Sequence, residues 1–599
     1  MSDRRKNQKN AKLLNEIPSG LSLLPAQTRE KRVNIFLFCL LLAFGIYQAV
    51  IYWAHQPVPH FDFECFAQTG REILNFQSPT SYKRVPLTGM FQVLLGRIIG
   101  GTHPDLTGGW LLNSIVHPLT IVMFWLAGRK LIGRGAVWFA VIAIINPFGL
   151  QLLTEAIAET PMLFFIWVTF YLIFIRSKWA YLVASLATMV RYECAALIAG
   201  AFVLDMIGAK NKKDRWLAFG YSALASVPLA IWMLGTLLNS QNLGATHYLN
   251  IFKKDYTSQF AEGVQNRTGI MKHLNILWQV GFYPLFTPSP QAGKFFVETI
   301  YTVNKIAVAA TFLFGSIYGL CKRQWKILIL LIFLLPYFWV HSKYPYPIHR
   351  YHATIFAIVM LICIYGLYSF WNLIKDRLPA PVVIPAQIAA IMTAVIWILI
   401  LAGFLPKLTP MSRASVSLPY VAILVIFAAF IAERFIYKGV KPKDFVILTL
   451  MILMIVSNQF LVAAVVGNGD RDIEFKYLTD WYRQNAKKGE KLVTTVPSIL
   501  QIMAPEYKGC FIHTNTFDAN NPADFAKECY QRNITYVAWD SREGLTPTDH
   551  YYKYWKMSNI APLAAGRDIG PYQFITQIRA NQRRYINLYR LRYPPPDTK

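Results

Sequence analysis

Residues 35–53 read IFLFCLLLAFGIYQAVIYW, and residues 60–66 follow as HFDFECF. The first stretch carries no charge and is long enough to cross a bilayer, so it predicts a transmembrane helix. Asp62 and Glu64 then lie just outside a membrane face. Two carboxylates among aromatic side chains at this boundary are candidates for base chemistry. The alternative interpretation is that Asp62 only caps a helix that begins near Glu64.

The composition predicts an α-helical protein with many membrane crossings. Of the 599 residues, 54% are hydrophobic and 15% are charged, which is more apolar than a soluble protein of this length. The net charge of +28 does not indicate nucleic-acid binding, because Lys and Arg cluster between the apolar stretches, as membrane topology requires. The seven cysteines lack the spacing of a zinc site or disulfide scaffold. Cys510 and Cys529 remain open as a disulfide or as two buried thiols.

The order of basic loops predicts the topology. The basic tail 1–34 is expected in the cytoplasm, so the first crossing leads outside into a loop over 54–109. Continued alternation gives about 13 crossings within a membrane domain 35–466, and the chain then ends outside. The predicted crossings lie at 35–53, 110–126, 136–145, 161–175, 179–207 (out and back), 216–238, 306–320, 325–340, 353–371, 382–405, 421–436 and 445–466.

The stretch 179–207 is unusual because basic clusters flank both of its ends. It must therefore leave and re-enter the same side, with the polar interruption Arg191-Tyr192-Glu193 at the turn. Each half is too short to cross a bilayer alone. Broken helices of this kind usually line a cavity.

Residues 467–599 change in character and predict a small extracytoplasmic α/β domain, since strand and helix patterns alternate there. The predicted helices are 473–485 and 522–531. The predicted strands are 491–496, 509–513 and 535–539, with a closing hairpin over 572–579 and 585–592.

Several ionisable groups converge on the external face in this topology. They are Asp62, Glu64, Glu155, Glu159, Arg191, Glu193, Lys343, His349, Arg350 and His352. Each has an ordinary alternative: Glu159 suits a helix start, Arg350 and Lys343 suit interface anchors, and Arg191 and Glu193 suit mutual neutralisation. Acids and bases that meet at one depth of an apolar membrane domain instead favour a functional site.

The chain resembles the GT-C superfamily of polytopic glycosyltransferases, which includes protein O-mannosyltransferases and aminoarabinose transferases. The resemblance covers roughly residues 35–375. The residues that carry it are Asp62 in the first external loop, Tyr-Lys-Arg-Val-Pro-Leu at 82–87, Glu159-Thr160-Pro161, Arg191 between the short helices, and Arg350-Tyr351. Phe63 separates the two acids of the first loop, whereas family members often have adjacent acids there.

The resemblance implies a polyprenyl-phosphate sugar donor, an extracytoplasmic acceptor and inverting displacement. A base must take the acceptor proton, and cations must hold the departing phosphate. The candidate catalytic acids are Asp62, ahead of Glu64, and then Glu159. The candidate phosphate-binding residues are Arg350, His349, Arg191 and Lys343. The resemblance makes no cofactor certain. Some relatives use a divalent metal, and Asp62, Glu64 and Glu159 are candidate ligands for one.

The predicted function is therefore a hexosyl or pentosyl transferase of an inner or plasma membrane, which acts on a glycan, lipid or protein hydroxyl. The alternative is a secondary transporter or lipid flippase, since intramembrane charges also mark transport paths. A non-catalytic scaffold is a third hypothesis. The absence of an internal sequence repeat argues against the transporter.

Overall fold

The computed structural model describes residues 26–82, 84–238, 270–281, 294–342, 348–374, 413–435, 465–467, 469–541 and 555–593, together with residues 547 and 552. The predicted crossing 382–405 and all but the last two residues of 445–466 lie outside these ranges, as does Lys343. Up to residue 435, the regular secondary structure of the described residues is helical. These helices are α1 (Ala26–Ile51), α2 (Phe63–Leu74), α3 (Leu87–Ile99), α4 (Pro104–Ile132), α5 (Ala136–Ile144), α6 (Pro147–Thr154), α7 (Glu159–Phe174), α8 (Trp179–Thr188), α9 (Ala195–Gly208), α10 (Lys212–Leu238), α11 (Ile270–Gly281), α12 (Lys294–Cys321), α13 (Trp325–His341), α14 (His349–Ala353), α15 (Phe356–Ile374) and α16 (Arg413–Phe435).

Four described helices are long and apolar enough to cross a membrane. They comprise Glu30–Ile51 of α1 and the helices α4, α10 and α15. A fifth crossing results if α5 and α6, which are bent by 58° at a short break, form one span. Shorter apolar helices occur at most of the other predicted crossings within the described ranges. The total of 13 crossings stays a prediction.

The predicted break in the stretch 179–207 is present. The helix α8 ends at Thr188, Arg191 has an extended backbone, and α9 begins at Ala195 after one turn of 3₁₀-helix. The charged residues of the interruption therefore lie between two short helices, as the sequence predicts.

Close glycine contacts fix the helices that surround the first external loop. A Cβ on Gly70 of α2 would lie 2.1 Å from the carbonyl carbon of Gly89 in α3, and one on Gly89 would lie 1.8 Å from the Phe66 oxygen. The helices α3 and α4 meet in the same way, because a Cβ on Gly108 would lie 2.0 Å from the Gln92 oxygen. Backbones at this separation have no room for a side chain. The position of α2, which begins directly after Asp62, is therefore set by α3 and α4.

The C-terminal region contains a five-stranded sheet in the order β2-β1-β3-β5-β4. The three strands β2, β1 and β3 are parallel, and β5 and β4 add as an antiparallel hairpin. The predicted strands and helices are present with boundaries shifted by a few residues. They are α17 (Ile473–Asn485), β1 (Lys491–Thr494), β2 (Phe511–His513), α19 (Pro522–Gln531), β3 (Ile534–Asp540), β4 (Tyr572–Arg579) and β5 (Tyr585–Leu591). The short helix α18 (Pro497–Met503) between β1 and β2 was not predicted.

Alternate residues of each strand feed two separate apolar cores, since side chains alternate across a sheet. Leu492 packs with α17 and α18 on one face, together with Val58 from the first external loop. Val493 packs with α19 on the other face. Cys510 borders the first core and Cys529 belongs to the second, and both thiols are free. The two cysteines therefore lie on different faces and do not form the disulfide that the sequence left open.

We expect Gly89→Ala to destabilise the protein, because the new methyl group would collide with the Phe66 carbonyl oxygen. Overpacking of this kind costs about 1–3 kcal/mol, and backbone atoms can yield little. Thermal unfolding in detergent should show a lower melting temperature. The control is Gly220→Ala in α10, where a Cβ meets no atom within 4 Å. Equal melting temperatures for the two variants would contradict the close packing.

Candidate functional site

Asp62 is the centre of a buried charge cluster. It precedes the first residue of α2, but its side chain makes no capping hydrogen bond to that described helix. Its two carboxylate oxygens instead accept hydrogen bonds from Arg84 Nη2 at 2.6 Å and Arg350 Nη2 at 2.8 Å. Only 5% of Asp62 is exposed. The interpretation of Asp62 as a simple helix cap is therefore wrong, because its side chain binds two arginines and not the first turn of α2.

The two guanidinium groups decide the ionisation of Asp62. Burial by itself would raise the pKa of this carboxyl, but Arg84 and Arg350 outweigh it and hold the pKa well below its usual range. Burial and the Arg350 charge lower the pKa of His60, so this imidazole is neutral. Its Nε2 lies 3.2 Å from Arg350 Nη1 and accepts the hydrogen bond, because arginine only donates.

Glu159, the first residue of α7, lies between Arg350 and Arg191 and so connects the two arginines. Its Oε1 lies 3.5 Å from Arg350 Nε and 3.5 Å from Arg191 Nη1. The side chain is buried, and neither carboxylate oxygen has a hydrogen-bond partner among the described residues. Glu159 therefore faces two arginines at ion-pair distance without a fixed hydrogen bond to either.

Arg191 also pairs with Glu193 across the break between α8 and α9, at 2.9 Å. The two residues neutralise each other as one alternative predicted, but Arg191 still faces Glu159. His341 Nε2 lies 3.3 Å from Glu193 Oε1 and adds a ring to this side of the cluster.

One aromatic ring separates the two arginines. The Arg191 and Arg350 guanidinium carbons lie 5.2 Å and 5.1 Å from the centre of the Tyr351 ring. Cation–π attraction therefore holds both side chains against the same ring. The cluster as a whole is balanced, with three arginines and three carboxylates. Its charged members are Arg84, Arg191, Arg350, Asp62, Glu159 and Glu193.

Glu64 lies outside this cluster. It forms an ion pair with Arg71, which also binds Asp105 at the start of α4. Helix geometry separates the side chains of Asp62 and Glu64, since they are two residues apart. Burial raises the pKa of Glu64, although Arg71 opposes the shift.

The other predicted residues are placed at the margins. His349 is exposed and stacks on Phe148 with ring centres 5.3 Å apart, outside the ion-pair cluster. His352 bonds the Ile348 carbonyl oxygen at 2.9 Å and lies beside the His273 ring. Glu155 does not join the cluster and instead pairs with Arg471 at 2.7 Å.

Sequence reasoning did not single out Arg84, His60, His341, Tyr351 or Arg471 as site residues. Two of them lay within motifs already noted, since Arg84 belongs to the stretch 82–87 and Tyr351 follows Arg350. His60 lies in the acidic stretch itself. No local signal marks Arg471, because its partner Glu155 is 316 residues away in the chain.

A divalent metal would have to compete with an arginine here. The Arg350 fork lies between Asp62 and Glu159, so arginine already supplies positive charge between the two carboxylates. Within the described ranges, no group of three or more His, Cys, Asp or Glu side chains comes together as a metal site. Metal binding stays an untested prediction.

Comparison with known proteins rests on structure alone. No family model and no curated protein sequence matches the chain. The fold is similar to ArnT from Cupriavidus metallidurans bound to undecaprenyl phosphate, with a TM-score of 0.52, 12% identity, and coverage of 92% of this chain and 97% of that one. The prediction of a mostly helical chain with a C-terminal sheet region is confirmed, and the fold is similar to that of ArnT.

The Archaeoglobus fulgidus oligosaccharyltransferase in its apo form matches with a TM-score of 0.49 and 13% identity, over 90% of this chain and 73% of that one. The same organism's AglB in complex with an inhibitory peptide and a dolichol-phosphate matches with a TM-score of 0.48 and 11% identity, over 92% and 80%.

We expect Asp62→Asn to lower the melting temperature near neutral pH by a few degrees and the deficit to shrink in acid. The folded-state pKa of Asp62 is depressed, so its ion pairs stabilise the fold above the unfolded pKa of about 3.9. This contribution is lost as pH falls through the lower, folded-state pKa. Unfolding of both proteins between pH 3 and pH 8 measures the effect. A deficit that is constant across this range would contradict it.

Proposed function

We propose that the protein is a membrane glycosyltransferase that moves a sugar from a polyprenyl-phosphate donor to an extracytoplasmic acceptor by inverting displacement. The observation that carries this proposal is the buried contact of Asp62 and Glu159 with Arg350. ArnT, which shares the fold, is described as bound to undecaprenyl phosphate, and this supports a lipid phosphate as the donor group.

The arginines suit the phosphate because of how its charge changes. The donor phosphate is a diester with one negative charge, and the released polyprenyl phosphate is a monoester that carries a second. Arg350 and Arg191 lie on one tyrosine ring, with their guanidinium groups against the same carboxylate of Glu159. Cations held in this way stabilise the transition state more than the bound donor. His349 is proposed to assist at the margin of the site, and Lys343, which lies outside the described residues, stays a candidate from the sequence.

Asp62 is proposed as the base. An acceptor hydroxyl gives its proton to the carboxylate, its oxygen forms the new bond to the anomeric carbon, and the phosphate oxygen leaves with the electrons of the old bond. Asp62 is ionised at neutral pH because Arg84 and Arg350 hold its pKa low. The same two arginines also make it a weak base before the donor binds.

Donor binding offers a way to strengthen this base. The donor phosphate competes with Asp62 for the Arg350 fork, since both are anions that arginine binds through two hydrogen bonds. When Arg350 turns to the phosphate, Asp62 loses one of its two guanidinium partners, and its pKa rises. Proton abstraction is then favoured only when the donor is present. Glu159, which has no fixed hydrogen bond among the described residues, can accompany Arg350 in this change.

The proposed donor sugar is a hexose or a pentose. The proposed acceptor is a hydroxyl group of a glycan, a lipid or a protein. The sheet-containing region from residue 467 is proposed to lie outside the cytoplasm, beside the site. A transporter or flippase would need a sealed vesicle to show activity, whereas the proposed transferase consumes a polyprenyl-phosphate sugar in detergent.

We expect Asp62→Asn to reduce turnover by about 10²-fold or more, since the amide keeps the size of the side chain but cannot take a proton. Binding of polyprenyl phosphate should persist. Glu64→Gln is the matched control and should cost less, because Glu64 lies with Arg71 outside the cluster. Single-turnover assays and lipid-phosphate binding separate the two effects. Normal turnover in Asp62→Asn would exclude this residue as the base and make Glu159 the next candidate.

We expect Arg350→Lys to weaken donor use at least tenfold, because lysine keeps the charge but lacks the planar fork that binds two phosphate oxygens. The change should appear in KM for the donor and in kcat. Arg129→Lys is the control, since Arg129 also forms an ion pair, with Glu30 at 2.8 Å, but lies at the C-terminal end of α4. Equal kinetics for both variants would leave Arg350 as an interface anchor.

A further inference from the structure

The turn between β4 and β5 carries a basic surface that the proposed chemistry does not use. This turn, called the hairpin tip below, spans residues 579–585 and contains Arg579, Arg583 and Arg584. Arg579 and Arg583 are exposed. None of the three forms an ion pair with an acidic side chain in the described part of the chain.

The contacts of the hairpin tip place it next to the end of a candidate membrane span. Arg584 Nη1 donates to the Asp470 carbonyl oxygen at 3.4 Å. The preceding residue, Gly469, lies so close to His55 that a Cβ there would be 1.8 Å from the His55 oxygen. The candidate span Glu30–Ile51 ends four residues before His55. Two successive contacts, Arg584 with Asp470 and Gly469 with His55, therefore connect the hairpin tip to the chain just after the end of this candidate span.

Aromatic side chains lie close in sequence both to the end of this candidate span and to the hairpin tip. Trp53 is 43% exposed and its ring contacts Trp110, with ring centres 6.4 Å apart. Tyr585, at the end of the hairpin tip, contacts Trp539 at 5.8 Å. Tryptophan and tyrosine are enriched where a protein meets lipid head groups. Arginine beside such rings is typical of this zone.

A second basic group lies at the opposite edge of the sheet from the hairpin tip. The helix α17 begins three residues after Asp470 and ends at Asn485, about 20 Å away for 13 residues of helix. Lys487 and Lys488 therefore lie at the far edge of the sheet region. The hairpin tip and these lysines form two basic groups at opposite edges of one sheet, which makes the lysines a built-in control.

We propose that the hairpin tip binds the anionic phosphate head groups of the leaflet that faces the sheet. A planar guanidinium binds phosphate oxygens through two parallel hydrogen bonds, and two exposed arginines at head-group height would engage such lipids directly. Each basic residue near an anionic membrane surface adds attraction that falls off within a Debye length. The tip would thus hold the sheet at a fixed tilt above the membrane helices, independently of the sugar-transfer chemistry.

The test uses the full chain in nanodiscs of phosphatidylcholine alone or with phosphatidylglycerol. Hydrogen exchange of peptides that cover residues 579–585 should slow several-fold when phosphatidylglycerol is present, and high salt should remove the difference. Arg579→Gln combined with Arg583→Gln should abolish the lipid effect. Lys487→Gln combined with Lys488→Gln removes the same charge and should preserve it. Unchanged melting temperatures in detergent would show that both variants fold.

Three outcomes would overturn the proposal. They are equal exchange of the wild-type hairpin tip in both nanodiscs, a lipid effect that persists in the arginine variant, and a loss of the lipid effect in the lysine variant as complete as in the arginine variant. Protection that arises in neutral nanodiscs only after a soluble acidic polysaccharide is added would assign the tip to that polymer instead, and would also refute lipid binding.

Discussion

The candidate site depends on one buried interaction, the contact of Arg350 with Asp62. The pair joins the first external loop to the start of α14, elements that are 288 residues apart. Burying a charge without a partner costs several kcal/mol, so each of the two residues needs a charged partner at this place. Arg84 and Glu159 extend the pair into a balanced cluster, and the helices that carry these residues must meet at one point. The cluster therefore constrains the arrangement of helices as well as the chemistry.

The helices can meet there because their backbones approach closely. Gly70, Gly89 and Gly108 bring α2, α3 and α4 into contact without intervening side chains. Such packing gives α2 little freedom to move, and Asp62 directly precedes α2. A rigid acid beside adaptable arginines suits an order in which the donor phosphate binds first and changes the partners of Asp62, while the position of the acid stays fixed.

The sheet region is joined to the same part of the molecule by two contacts. Arg471 reaches Glu155, whose turn leads directly into Glu159 and α7. Ser498 of α18 also donates to the Phe61 carbonyl oxygen at 3.4 Å, one residue before Asp62. Two neighbours of the acidic residues are thus held by the sheet region. A movement of the sheet region would therefore act on the backbone next to Asp62 and on the turn that precedes Glu159.

The sequence by itself determined the class of the protein, because hydrophobic length, basic loops and strand alternation are local patterns. It predicted the broken helix pair at Arg191, the helices and strands after residue 472, and the candidates Asp62, Glu159 and Arg350. The sequence ranked Asp62 ahead of Glu64, but only the tertiary structure gave the two acids their different partners, Arg350 and Arg71. It alone added Arg84, His60 and Tyr351 to the site and paired Glu155 with Arg471. Ion pairs between distant segments leave no periodic pattern in a sequence. Each charged residue has many possible partners in the chain, and only the packing of the helices decides which of them lies within reach.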